Sequence, residues 1–438
     1  MIVFLFYVYL VAVLTIGCLC ARKIHTPDDY YVAGRKAGAL SVTGSLLATI
    51  LGSSAILGSI DFAYAKGWAG AWFMLCAAIG LMALLPFVGR LSAFRGYNLP
   101  VLLGGFYGPV AQKLAAGVIA LSWLGVVGAQ VIGAAKITTS VFGISYTWSA
   151  IAIGLTLTAY TAAGGQLSII RTDIIQAALI FVGLLVIFGV LMFRSPSLSG
   201  QPMLSPAFTP FDLLVMLFAY SSTYLVGPDI YSRLFCAKDT ATARKAVATA
   251  AIVLIPIAFL LAFIGIYGSR GYVRGSESTL FAIVKGEFPP AVTLLLYFAL
   301  LSAIMSSADT TLFTAGSLLS QFLSDKMDSR ESVRLTRVCT AVLGVLAIVT
   351  ALHCQSILTA LLFALGIYAG AFVVPVLCGM LGLKSDSRYA IAAIVAGGAL
   401  ALVGKALAAN PIGNYLVLLA FPVNFALMAL GRHTDARH

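Results

Sequence analysis

The chain has 438 residues, of which 61% are hydrophobic and only 10% charged, and its mean hydropathy is +1.02. A soluble protein of this size carries about 25% charged residues, so the composition excludes an ordinary water-soluble domain and makes the lipid bilayer the expected partner and solvent. The net charge of +12 would point to nucleic acid on a soluble chain, but membrane topology accounts for it and leaves no nucleic-acid partner to invoke.

In chain order, thirteen apolar windows are long enough to span a bilayer: 2–21, 39–64, 68–91, 109–141, 146–163, 172–193, 211–227, 243–268, 290–323, 335–353, 357–382, 388–408 and 411–431. The first has no basic residue before it and Arg22-Lys23 after it, the reverse of a cleavable signal, so it reads as a retained helix with its N-terminus outside. The odd number of spans then puts the C-terminus in the cytoplasm. On that topology twenty of the 27 Lys and Arg residues, Arg233 among them, fall on the inner side and seven on the outer, as the positive-inside rule requires. No hydrophilic stretch is long enough for a soluble domain. The whole chain, 1–438, is therefore one membrane domain, and the expected location is a cell membrane, with the bacterial inner membrane favoured. The seven cysteines are scattered and read as small buried apolar residues. No His set, metal-ligand cluster or nucleophile motif lies within a span, so the chain is not expected to be an enzyme.

Function must then reside in polar groups inside the helices. Three acids fall in or near spans: Asp61, Asp173 and Asp309. Such residues face a cavity, a partner or an ion, unless they lie at a helix end and reach water. The stretch "LSAIMSSADTTLF" (301–313) concentrates the signal. Ser306, Asp309 and Thr310 stand at i, i+3 and i+4 and share a face. Ser307 flanks that face, and the carbonyl of Ala303 lies one step back along it. Hydroxyl, carboxylate and backbone oxygens suit a hard cation. The bland alternative is hydroxyls bonded to their own i−4 carbonyls or easing helix packing.

Two windows carry helix-breaking signals. "ATILGSSAILGSIDFAYAKG" places Gly52, Ser53, Ser54 and Gly58 in the second, where a break would free carbonyls such as those of Ala48 and Leu51. "SSTYLVGPDIYSRLF" places Gly227-Pro228 at the end of the seventh. Interrupted helices five spans apart mark an inverted-repeat transporter with its site at the midplane. The expected organisation is an N-terminal helix and cytoplasmic loop (1–38), a first repeat (39–193), a second repeat (211–382) and C-terminal helices (386–438).

Four stretches carry a resemblance. "DDYYVAGRKAG", "GAAKITTSVFGISYTWSAIAIGLTLTAYTAAGGQLSIIRTDIIQAALI", "DIYSRLFCAKDTATARKA" and "LSAIMSSADTTLFTAGSLLSQFL" resemble segments of the sodium:solute symporter family, the proline/sodium and sugar/sodium cotransporters. The resemblance covers roughly residues 28 to 385. It implies an all-α polytopic membrane protein with a leucine-transporter-type 5+5 inverted repeat, and sodium-driven symport of a small-molecule solute with Na+ as the coupling ion. The family's main sodium site falls on Ala48, Leu51, Ala303, Ser306 and Ser307. A second ion or proton site, present in some members, falls on Ser306, Asp309, Thr310 and Asp173. The family's Gly-x-Pro-Gly after the first core helix is replaced by "GSID", and its sugar-holding residues have no polar counterpart here. A small polar solute such as an amino acid or carboxylate is therefore expected rather than a sugar. Candidate solute contacts are Ser53, Ser54, Gln130, Tyr220, Ser221, Thr223 and Tyr224, with Trp72 and Tyr368 as aromatic walls and Asp61 to attract a cationic solute. The rival readings are a solute sensor of the same fold and a proton-coupled symporter.

Overall fold

The structure, a computed structural model, describes residues 2–94, 96–194, 201–269, 279–324, 329–353, 357–383, 385–407 and 411–435, without the side chains of 2, 3, 53, 54, 140, 285–287, 357–365, 411 and 433–435. Where lipid is the solvent, backbone groups must be satisfied within the chain, and a helix does this inside one segment. The described residues are accordingly almost all helical. The exceptions include a single parallel bridge, Ala37 to Ala237, and a tight antiparallel one, Ser205 to Phe208.

Helix α1 (Ile2–Ala21) leads to α2 (Pro27–Val32), which Thr26 and Asp29 cap reciprocally: Thr26 N donates to Asp29 Oδ2 at 3.0 Å and Asp29 N to Thr26 Oγ1 at 3.2 Å. The second window resolves into α3 (Ala39–Ile50) and α4 (Ser53–Lys66), separated at Leu51–Gly52. Gly67, at φ 64°, turns the chain into a 3-10 stretch and α5 (Trp72–Leu84), prolonged by α6 (Val88–Ala93). Then come α7 (Leu99–Tyr107), α8 (Pro109–Phe142) and α9 (Tyr146–Arg194).

The 49 residues of α9 would measure about 73 Å if straight, more than twice a ~30 Å hydrocarbon core. They are not straight. Gly165 takes φ 52° and ψ −150°, a conformation open to glycine, and α1 shows that the chain reverses there. Near its C-terminal end α1 meets both limbs, with Cys20 Sγ on Leu167 O (3.9 Å) and Gly17 packed on Tyr160. Nearer its start, Gln176 Nε2 donates to Tyr9 OH at 3.3 Å, and Phe6 lies 4.7 Å from Phe142, four residues before α9 begins. The windows 146–163 and 172–193 are thus the two limbs of one folded element. Two carbonyls ahead of the reversal, those of Ala162 and Ala163, are taken by Tyr30 OH (3.0 Å) and Arg337 Nη2 (3.2 Å).

The seventh window departs from expectation. It begins as α10 (Pro210–Met216), widens into a π-turn (Leu217–Ser221), continues as α11 (Ser222–Leu225) and breaks at Val226–Gly227. It then resumes as α12 (Pro228–Cys236). The sequence reading ended this span at 227. Pro228 stands at the first position of a new helix, where its missing N–H costs nothing, so the helix carries nine further residues. The remainder is α13 (Thr240–Gly268), α14 (Thr279–Glu287), α15 (Pro290–Leu323), α16 (Arg330–His353), α17 (Ile357–Met380), α18 (Ser387–Ala406) and α19 (Pro411–Asp435).

Among the described residues ten runs are long and apolar enough to cross a membrane. They become the thirteen expected windows when α9 is counted as two limbs, the Ala55–Ala93 run is divided at Gly67, and α17 is added. At the centre stands α15. Every residue from Ala299 to Leu318 on it is buried, packed between α8, α9 and α16. A helix enclosed on all sides must be apolar all round or find protein partners for its polar groups, which makes the polar run 302–317 the place to look.

Candidate functional site

The first break and α15 meet. Ending α3 at Ile50 takes the carbonyls of Ala48, Thr49, Ile50 and Leu51 out of the regular helical ladder. Ser307 Oγ donates to one of them, Thr49 O, at 3.0 Å. Gly52 lies so close that a β-carbon there would collide with the Ser307 hydroxyl, so the approach depends on glycine. Ala48, Leu51, Ala303 and Ser306 are all fully buried in this neighbourhood, and Ser307 is nearly so. The five residues named from sequence for the main sodium seat therefore lie on two elements that touch. Thr49 was not among them, although its carbonyl makes the contact.

One turn along, the arrangement holds a group the sequence reading placed elsewhere. Arg233, counted there as an inner-side loop residue, sits on α12 with no exposed surface. Its guanidinium pairs with Asp173 Oδ2 at 3.3 Å, donates to Ser45 Oγ at 3.1 Å, and touches Thr310 Oγ1. Asp173 also accepts from Ser45 Oγ, and from Ser306 Oγ at 2.5 Å. Thr310 Oγ1 donates to Ser306 O at 2.8 Å. Asp309, equally buried, accepts from Tyr160 OH at 2.9 Å. Asp173, Asp309, Thr310 and Ser306 are thus neighbours, but a built-in cation lies among them. The correction has a physical cause. A buried arginine needs a carboxylate partner, and Asp173 supplies it from the far limb of α9.

The solute candidates are less concentrated. The side chains of Ser53 and Ser54 lie outside the described residues. Asp61 is exposed, and its Oδ1 accepts the amide of Thr279 at 2.9 Å, at the start of α14. It works as a helix-end acceptor there. Trp72 donates from Nε1 to Met203 O at 3.2 Å, tying α5 to the 201–209 segment. Tyr220 and Tyr224 are joined OH to OH at 2.9 Å and pack on α5, Tyr220 edge to face with Phe73 and Tyr224 beside Gly80. Thr223 Oγ1 returns to Tyr220 O at 2.7 Å, the bland reading for a helical threonine. The buried Ser221 hydroxyl has no hydrogen-bond partner among the described residues. Gln130 is buried on α8.

Tyr368 does stand at the second break. Its hydroxyl caps Val226 O, and Tyr231 OH caps Leu225 O at 3.0 Å. Trp123 lies edge to face with Tyr368, ring centroids 5.0 Å apart, and its Nε1 donates to both oxygens of Asp229, at 3.0 and 3.1 Å. Neither Trp123 nor Asp229 was named from sequence. Asp229 and Arg233 form an i, i+4 pair after a helix-starting proline, a signal that lay in plain view once Pro228 is read as a beginning. A cavity of about 380 Å³ opens elsewhere, between α6, α7 and α17, lined by Arg90, Phe94, Phe106 and Met380 among others. It touches neither seat.

Comparison with known proteins bears on the whole arrangement. The model of the sodium:solute symporter family matches residues 30–397. The sodium/pantothenate symporter of Escherichia coli strain K12 is 25% identical, over 95% of this chain and 94% of its own. The sodium/proline symporter of Haemophilus influenzae is 26% identical, over 90% of this chain and 86% of its own. Among solved structures, a substrate-bound, outward-open Na+-coupled sialic acid symporter superposes with a TM-score of 0.81 at 18% identity, covering 98% of this chain and 96% of that one. Mhp1, a nucleobase-cation-symport-1 family transporter in a closed conformation, superposes with 0.63 at 15% identity, covering 92% and 95%.

Proposed function

The chain belongs to the sodium:solute symporter family, and from that premise we propose how its own residues drive symport. The protein is a multi-pass membrane protein that couples inward movement of a small polar solute to sodium. Sodium is held by the carbonyls of Ala48, Leu51 and Ala303 and the hydroxyls of Ser306 and Ser307. The observation that carries this reading is the Ser307–Thr49 bond, which sets α15 against the first break at 3.0 Å. An ion there bridges the repeats 39–193 and 211–382, and it favours whichever arrangement brings the two sets of oxygens together. With the N-terminus outside and the C-terminus in the cytoplasm, one positive charge moving inward gains about 2.3 kcal/mol per 100 mV of membrane potential. Ion and solute affinities then rise together, because coupling is reciprocal.

A second reading concerns Asp309. Arg233 already stands against Asp173 and Thr310, so the second seat keeps one carboxylate, Asp309, with Tyr160 as its donor. It takes a proton or a second cation when the site reorganises. The test is uptake into proteoliposomes under separate sodium and proton gradients. Uptake driven by sodium alone, unaffected by an imposed proton gradient, assigns Asp309 to a cation or to structure. Uptake driven by protons without sodium refutes the main seat.

A further inference from the structure

Three carboxylates and one guanidinium share the interior around the two breaks: Asp173, Asp229, Asp309 and Arg233. Arg233 is committed to Asp173 at 3.3 Å and reaches Asp229 only at its backbone carbonyl, also at 3.3 Å. Among the described residues no cationic nitrogen lies within ion-pair range of the Asp229 carboxylate. Its hydrogen-bond donor is the Trp123 indole. Asp229 sits in the first turn of α12, directly past the second break. It is half-buried, whereas Asp173, Asp309 and Arg233 are wholly enclosed. From α15, Thr314, 4% exposed, turns its hydroxyl toward this carboxylate.

A first-turn aspartate ordinarily complements the helix dipole. That explains its place in the sequence but not the aromatic pair beside it. A carboxylate and two aromatic rings at an interrupted helix are the chemistry that recognises a cationic nitrogen, by ion pairing and by the ring quadrupole. We propose that the transported solute bears a positively charged nitrogen, ammonium or quaternary, which docks on Asp229 beside Trp123 and Tyr368. The proposal rests on the symport reading and names its solute class. Proline, a zwitterion, satisfies it; pantothenate, an anion without a cationic nitrogen, does not.

The test uses the purified full chain with three probes. Sodium alone should raise its thermal midpoint, and absence of that shift would count against the sodium seat and not against this proposal. Tetramethylammonium should perturb tryptophan fluorescence in the parent protein, and the response should vanish in Trp123→Phe and weaken at least about tenfold in concentration dependence in Asp229→Asn. Asp229→Glu should restore part of it. In the presence of sodium, L-proline should bind more tightly than pantothenate, and Asp229→Asn should erase that preference while leaving the shift with sodium alone in place, which shows the variant folded. An unchanged tetramethylammonium response in Asp229→Asn, or pantothenate binding as well as or better than proline in the parent protein, would overturn the assignment.

Discussion

Replacing Ser307 by alanine isolates one oxygen of the proposed sodium seat, and its cost follows from the geometry. Losing a hydroxyl that contacts a charged group removes about 1.5–3 kcal/mol of interaction. Without the ion, however, that hydroxyl is spent on Thr49 O at 3.0 Å, a neutral bond worth about 0.5–1.5 kcal/mol. In Ser307→Ala this bond no longer has to be surrendered when sodium arrives. The net loss is about 1 to 1.5 kcal/mol, or a roughly 5- to 13-fold rise in the sodium concentration for half-maximal effect. The assay needs no knowledge of the solute. The thermal midpoint of the purified protein is followed against sodium at constant ionic strength, and ligand-linked stabilisation yields the apparent affinity. Ser317→Ala is the control. Its hydroxyl also bonds a backbone carbonyl, Thr314 O at 2.9 Å, but two to three turns away on the same helix. If Ser307→Ala and Ser317→Ala both leave the sodium midpoint within a factor of two of the parent, the seat is not where the two elements touch.

Gly52→Ala forces a β-carbon against the Ser307 hydroxyl, with Ser307 Cβ itself 3.0 Å away; sodium-dependent stabilisation should fall further than in Ser307→Ala, measured in the same titration. Arg233→Gln strands Asp173 in the interior, a loss of about 3–5 kcal/mol, seen as reduced yield of folded protein and a lower midpoint. Adding Asp173→Asn should return part of that stability, and additive losses in the double variant would argue against the pair. Asp239, which caps α13 outside the spans, is held below the usual carboxylate range by the amide and hydroxyl of Thr242. A depressed group stabilises above its unfolded value and loses that effect as pH falls through its folded value. Asp239→Asn should therefore lower stability at neutral pH, leave it nearly unchanged below the folded value, and so flatten the acid limb of a stability-pH curve.

The spans were legible because lipid imposes a single rule on every residue it touches, and the Gly52-Ser53 break because glycine and serine inside an apolar run have few other uses. What escaped shares one cause. Ending a helix at Gly227-Pro228 hid Asp229 and Arg233, since both then read as loop charges and Arg233 even supported the topology count. Proline closes a helix from one side and opens it from the other, and composition does not say which. Tyr160 escaped for a different reason. Its ring reads as packing, and only the fold at Gly165 brings its hydroxyl to Asp309 from a limb more than a hundred residues away in sequence. Trp72 and Asp61 find partners, Met203 O and the Thr279 amide, in connecting segments whose path sequence does not reveal.

Ser306 belongs to two sets of neighbours at once. Its hydroxyl hydrogen is given to Asp173, and its oxygen is counted among those offered to sodium. If, on the proposed reading, the ion drew that hydroxyl away, Asp173 would be left to Ser45 and Arg233, and the change would reach α12. A message between the two halves of such a carrier then needs no long chain of levers, only a side chain with divided loyalties.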